Sequence, residues 1–306
     1  IEFEHVKEVF IEQAFLNYRL NNYMNLRGGL MLIPMGIVNE YHEPSTFNGV
    51  ERPNVDKYIV PTTWREIGAG ITGTLPGPSL RYQAYIINGF KGYDNTALFN
   101  GKNGLRGGRQ KGAESIISYP NYSMKVEYFG LPGLTIGLAG YFGKSQSTLY
   151  HELDKNDDQG IATADSSVVG TSMVGMDMRY RLKGLQLRGQ LIYNSLSNTL
   201  QYNEYTGSDL GSSMLGYYLE VGYDVLNGFG TGEKKLVPFV RYENYNTHLS
   251  VDENLTVNDA YNRTDITLGI GYWFTEGAVV KTDYQRFTDA AGSGKNIFNM
   301  GIGFMF

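Results

Sequence analysis

Residues 101–111 read Gly-Lys-Asn-Gly-Leu-Arg-Gly-Gly-Arg-Gln-Lys. Four bases, Lys102, Arg106, Arg109 and Lys111, stand among glycines with no acid before Glu114. Glycine lets backbone N–H groups converge on an anion, and an arginine fork matches a carboxylate or phosphate. Folded inward, this segment would form a basic constriction. Left outside, it is an exposed loop against surrounding phosphates or a neighbouring subunit.

Other chemistry is weaker. Glu40, His42 and Glu43 suggest a metal, but adjacent His and Glu rarely ligate one ion, and no metal site is expected. Asp154 to Gly160 resembles a calcium loop only superficially. An EF-hand needs Gly at its sixth position and Glu at its twelfth, whereas here Gly160 is seventh and Asp165 twelfth. The four histidines, His5, His42, His151 and His248, stand beside no Gly-x-Ser-x-Gly. The sequence therefore points away from an enzyme, and no cofactor is expected. Cysteine is absent. Nucleic acid is not an expected partner.

The elements that carry these residues are strands of period two. The last strand places Phe298, Met300, Ile302, Phe304 and Phe306 on one face. Leu134, Ile136, Leu138, Gly140 and Phe142 do the same, as do Leu185, Leu187, Gly189, Leu191 and Tyr193. So do Tyr217, Leu219, Val221 and Tyr223, and Ile266, Leu268, Ile270, Tyr272 and Phe274. The alternate positions are Gly, Thr, Gln, Asn and charged residues.

Three features put the apolar face outward, in lipid. No run of ~20 apolar residues exists for a spanning helix, and the mean hydropathy of −0.30 suits alternating strands. Tight turns at Asn21-Asn22, 75–78, 131–133, Lys183-Gly184 and 275–277 alternate with long polar stretches at 37–62, 90–117, 144–167, 199–211 and 250–261. Outer-membrane barrels have this asymmetry, with short periplasmic turns and long external loops. Outward aromatics fall by strand direction: Tyr18, Tyr128, Tyr180, Tyr223 and Tyr272 near the turns, Phe142, Tyr193, Tyr242 and Tyr284 at the other ends. The reading is all-β, a transmembrane antiparallel β-barrel of about fourteen strands in a bacterial outer membrane. Residues 1–306 form one barrel domain, expected to lack a signal peptide and N-terminal strands.

The segment Leu26-Arg27-Gly28-Gly29-Leu30 followed by Ile33-Pro34-Met35-Gly36 resembles a strand of the phosphate-selective porin O/P family. Glu12-Gln13-Ala14-Phe15, His42-Glu43-Pro44 through Arg52-Pro53, Thr63-Trp64, and Val237-Pro238-Phe239-Val240-Arg241-Tyr242-Glu243 are also similar to it. The likeness covers most of the chain and is clearest at 9–70 and 212–306. It implies a sixteen-stranded, usually trimeric barrel passing small anionic solutes, with about two strands missing here.

The wall itself reads as nearly balanced. Expected lumen bases are Arg19, Arg27, Arg81, Lys125, Arg179, Arg181, Arg188, Arg241 and Lys281. Expected lumen acids are Glu66, Glu127, Asp177, Glu220, Asp224, Glu243 and Asp283. Cross-strand pairs such as Arg241 with Glu220 would stiffen the wall. A tight phosphate site needs uncompensated donors, and no strand offers a ladder of them.

The anion path is therefore assigned to Lys102, Arg106, Arg109, Lys111, Arg52, Arg27, Arg179, Arg181, Arg188 and Arg241. The 37–62 stretch is too long and too rich in Tyr41, Phe47, Val50, Tyr58, Ile59 and Val60 to be a solvated tip. It is expected inside the barrel or at a subunit contact. The expected function is a porin giving passive diffusion of small hydrophilic, weakly anion-preferring solutes, with lipid, lipopolysaccharide and a homotrimer as partners. The alternative is an accessory barrel in a larger envelope complex, whose loops dock a partner protein.

Overall fold

The computed structural model describes residues 2–4, 8–112, 115–151, 153–154, 156–230 and 232–305; His5, Glu114 and Phe306 lie outside them. A short hairpin of β1 (Glu2–Glu4) and β2 (Glu8–Phe10) stands apart. Next come β3 (Ala14–Arg19), β4 (Asn25–Leu32), β5 (Arg65–Leu75), β6 (Leu80–Ile87) and the short β7 (Lys91–Tyr93). After them come β8 (Asn121–Leu131), β9 (Leu134–Lys144), the two-residue β10 (Gln146–Ser147), β11 (Gly170–Leu182) and β12 (Leu185–Ser197). The series ends with β13 (Ser213–Tyr223), β14 (Lys235–Ser250), β15 (Asn262–Thr275), β16 (Ala278–Asp289) and β17 (Gly294–Phe304).

Thirteen of these form one sheet whose neighbours follow chain order from β3 to β17, skipping only β7 and β10. Every pairing in it is antiparallel. Of the about fourteen strands expected, thirteen join this sheet, and β1 pairs only with β2 in the separate hairpin. The sheet begins at Ala14, just after Glu12 turns to His42 in an ion pair of 2.8 Å.

The sheet curls around the 33–62 loop. Edge strand β17 meets it where a Cβ on Gly301 would lie 3.0 Å from Val50 and one on Gly303 2.5 Å from Pro44. The other edge reaches the same loop through Glu12 and His42. Between those edges, β8, β12, β13, β14, β15 and β16 all hydrogen-bond to it. One loop can touch so many strands only if they surround it.

Alternation sets which face is which. On β15, Ile266, Leu268 and Ile270 are exposed while Asp265 and Thr267 are buried. On β14, Val240 and Tyr242 point out, with Phe239, Arg241 and Glu243 buried between them. The outward residues form an apolar belt, which a bilayer covers and water would not. Leu268 sits mid-strand between Val240 and Tyr284. Leu268→Arg is expected to cost ~2–4 kcal/mol of stability in lipid, whereas Thr264→Arg near the strand end should cost less. Equal costs in denaturant titrations of vesicle-embedded protein would place the belt elsewhere.

The lumen is filled at its loop-side end. Trp64 stacks on Phe90 at 4.2 Å and meets Tyr141 edge-on at 4.7 Å. Met35, Val55, Ile59, Phe99, Met173, Ile192, Met214 and Tyr218 complete one buried cluster. This is a protein core placed inside the barrel wall.

Candidate functional site

The 33–62 loop is fastened to the wall by inward polar side chains. Ile37 N–H donates to Gln190 (2.8 Å), Val50 N–H to Asp283 (2.6 Å) and Val55 N–H to Glu243 (3.1 Å). Asn48 donates to Glu220 (3.0 Å) and Asn54 to Asp265 (2.7 Å). Lys281 Nζ donates to the Gly49 carbonyl at 2.9 Å and also to those of Pro44 and Phe47. Lys125 Nζ reaches Gly36 O (2.8 Å) and Glu40 (2.9 Å). A short helix, α1 (Val55–Tyr58), turns the chain inside the barrel.

This loop leaves one cavity on each side. Towards the tight turns lies a cavity of about 620 Å³, lined by Thr46 and Asn48 of the loop and by turn residues including Gly133, Gly184 and Glu276. Towards the long loops lies one of about 1030 Å³, lined by Arg52, Asn54 and Tyr58 and by Tyr261 and Ser293. No lining residue is common to both. The segment from Asn48 to Arg52 separates them.

The expected path residues divide accordingly. Arg179, Arg181 and Arg188 line the smaller cavity, and Arg52, Lys102 and Arg106 the larger. The other four take structural positions. Arg241 is buried at 0% exposure, with Nε 3.2 Å from Glu243 and Nη1 3.4 Å from Glu220. The pair with Glu220 was expected; full burial removes this guanidinium from any water-filled path. Arg27 donates to Asn17 and Tyr85 and lies on the Phe15 ring. Arg109 Nη1 donates to the Thr62 carbonyl at 2.6 Å, and Lys111 is exposed; neither lines a cavity.

The basic 101–111 stretch does fold against the internal loop, but carbonyls take some of its donors. Arg106 Nη1 also donates to Thr62 O, at 2.8 Å. Burial, then the Arg52 guanidinium, push Arg106 below the usual arginine range. Burial likewise pushes the Asp56 carboxyl up, to about 7, with Gln190 opposing the rise and Glu243 adding to it.

Sequence reasoning missed Lys57, Arg263 and Lys295 in the larger cavity. Arg263 was legible, since it shares the inward parity of Asp265 and Thr267. Lys57 lies in a loop with no period to read. Among the described residues, Arg52, Lys57, Lys102, Arg106, Arg263 and Lys295 form no ion pair. Wall bases contrast with them: Lys125 meets Asp177 at 3.2 Å, and Arg179 pairs with Glu127.

No group of three or more metal-binding side chains stands among the described residues. The acidic 154–160 stretch begins a helix, α2 (Asp158–Ser166), whose Gly160 N–H donates to the Asp157 side chain.

A barrel with an apolar belt, an inward-folded loop and a cavity at each mouth is the architecture of outer-membrane porins. The fold matches that of Salmonella typhi OmpF, solved in complex with daunomycin, with a TM-score of 0.58 and 16% identity over 96% of this chain and 78% of that one. It also matches an anion-selective porin from Comamonas acidovorans (0.53, 13%, covering 93% and 75%) and the trimer form of Vibrio cholerae OmpT (0.54, 10%, covering 96% and 80%). No protein-family model matches the chain. It belongs to the family of an uncharacterized protein of Aquifex aeolicus (strain VF5), being 31% identical to it over an alignment 314 residues long that covers 99% of this chain and 67% of that protein.

Proposed function

We propose that this chain is a passive diffusion channel of the bacterial outer membrane with a weak preference for small anions, narrowed by its 33–62 loop. One observation carries the reading: the two cavities open at opposite ends of the lumen, and bases outnumber acids in both. The larger has six bases, none in an ion pair among the described residues, against Glu51, Asp56, Asp265 and Asp289. The smaller has Arg179, Arg181, Arg188 and Lys235 against Asp224 and Glu276; Arg179, Arg188 and Lys235 are in ion pairs, and Arg181 is in none among the described residues. Water-exposed cations without partners attract anions, while paired ones only stiffen the wall.

The path residues are Arg52, Lys102 and Arg106 on one side of the loop and Arg181 on the other, where Arg179 and Arg188 line the way but are held to Glu127 and Glu220. The motif resemblance to the phosphate-selective porin O/P family supports anion passage. Tight phosphate capture is not part of the reading, because the wall acids sit beside the arginines. A single domain belonging to a larger barrel, assembled as a homotrimer, completes the proposal. Cross-linking in native membranes that yields only monomer would count against the trimer.

Planar bilayers under a salt gradient test the charge assignment. The double variant Arg52→Ser, Arg106→Ser is expected to lower the chloride-to-potassium permeability ratio. An unchanged ratio refutes the path; an electrically silent wild-type protein refutes the channel.

A further inference from the structure

Four polar atoms of residues lining the larger cavity lack a partner among the described residues: Thr62 Oγ1 and, on charged groups, Asp56 Oδ2, Asp265 Oδ1 and Arg263 Nη1. Both carboxylates are buried, at 0% and 1% exposure. Their other oxygens are occupied. Asp56 Oδ1 accepts from Gln190 (3.0 Å), and Asp265 Oδ2 accepts from Asn54 (2.7 Å) and Tyr245 (2.9 Å). Arg263 spends Nε on Ala260 O (3.2 Å) and Nη2 on Lys102 O (3.0 Å). The Tyr58, Tyr261 and Tyr245 rings hold its guanidinium at 4.7, 5.4 and 5.7 Å.

Arg263 and Asp265 are successive inward positions of β15, about 7 Å apart along the strand. Opposite charges so close ordinarily pair, yet these two do not. A buried carboxylate oxygen without a donor is costly, and so is a buried guanidinium N–H without an acceptor. A cation alone would answer the first and an anion alone the second. A solute carrying both charges answers the two together.

We propose that the larger cavity binds a small zwitterion, an amino acid or short peptide. Its ammonium lies on Asp265 and Asp56, and its carboxylate lies on Arg263 and the neighbouring Arg52 and Arg106. This rests on the channel reading of the lumen and narrows its solutes from small anions to dipolar ones. The two unpaired arginines hold the carboxylate end at the mouth, and the buried acids draw the ammonium inward. Burial pushes the Asp56 carboxyl up to about 7, and an ammonium beside it would favour the charged form.

Calorimetric titration of the detergent-solubilised barrel needs no conduction and reads the site directly. Three probes are compared: glycylglycine with both charges, acetylglycine with the carboxylate alone, and glycinamide with the ammonium alone. Glycylglycine should bind about tenfold tighter than either single-charge probe, the size of one charge-assisted hydrogen bond. Asp265→Asn should erase that preference while leaving acetylglycine unchanged. Asp56→Asn serves as the second variant should the first fail to fold. Equal binding of glycylglycine and acetylglycine, or no heat with any probe, overturns the proposal and leaves ordered water as the occupant. Selective binding by a barrel that carries no current upholds the site and removes only the channel. Current without selective binding does the reverse.

Discussion

Replacing residues 45–60 by a short glycine-serine linker is expected to raise single-channel conductance severalfold and to move selectivity towards cations. Conductance should rise because this segment separates the two cavities and reaches β12 to β17 across the lumen. Selectivity should move because the loop's donors occupy Glu220, Glu243, Asp265 and Asp283. Four wall acids would then face water, against one released base, Lys281, two of whose three acceptors, Phe47 and Gly49, lie in the segment. Net negative charge along a pore wall favours cations. Lys281→Met is the milder form, since it strips one ammonium from the carbonyls of Pro44, Phe47 and Gly49 and leaves the loop in place. It should give a noisier channel of intermediate conductance. Unchanged conductance in the linker variant, with the barrel still folded, would show that ions do not cross where the loop lies.

The wall was legible in the sequence because lipid and lumen impose opposite demands on neighbouring residues. Ile266, Leu268 and Ile270 alternate with Asp265, Thr267 and Gly269, and a one-residue error would invert every one of them. Strand limits therefore came out within a few residues along most of the chain. The pair of Arg241 with Glu220 was also within reach, because β13 and β14 are consecutive and their register sets the two opposite each other.

The contents of the barrel were harder to read, for a physical reason. Carbonyl oxygens carry no sequence identity, so a base that binds one looks like a base waiting for an anion. Arg109 on Thr62 O and Lys281 on three loop carbonyls are such cases. A signal for the filled half of the lumen did exist. Met173-Val174, Leu191-Ile192, Met214-Leu215 and Tyr217-Tyr218 are apolar on both faces, which a water-filled lumen would not favour. They mark the level where the Trp64 cluster packs.

Arg241→Met is expected to destabilise the barrel by ~3–5 kcal/mol, the usual cost of removing one partner from a buried charge network. The guanidinium is wholly buried and is held by Glu220, Glu243 and the Glu51 carbonyl. Methionine fills much of the space but leaves Glu243 inside without its counter-charge and Glu220 with only Arg188, 3.8 Å away. The same two acids hold Asn48 and Val55, so the loop should loosen together with the wall. The triple variant Arg241→Met, Glu220→Gln, Glu243→Gln separates charge from shape. Each glutamine carbonyl can still accept from the loop, and the charge that loses its partner is Arg188, which lines the smaller cavity and can be hydrated there, so most of the lost stability should return. Urea titrations in lipid vesicles measure both. A single variant costing less than about 1 kcal/mol, the range of an exposed pair, would mean that water reaches Glu220 and Glu243 and that the lumen beside them is open. A triple variant as unstable as the single one would assign the loss to packing around the arginine stem and not to charge.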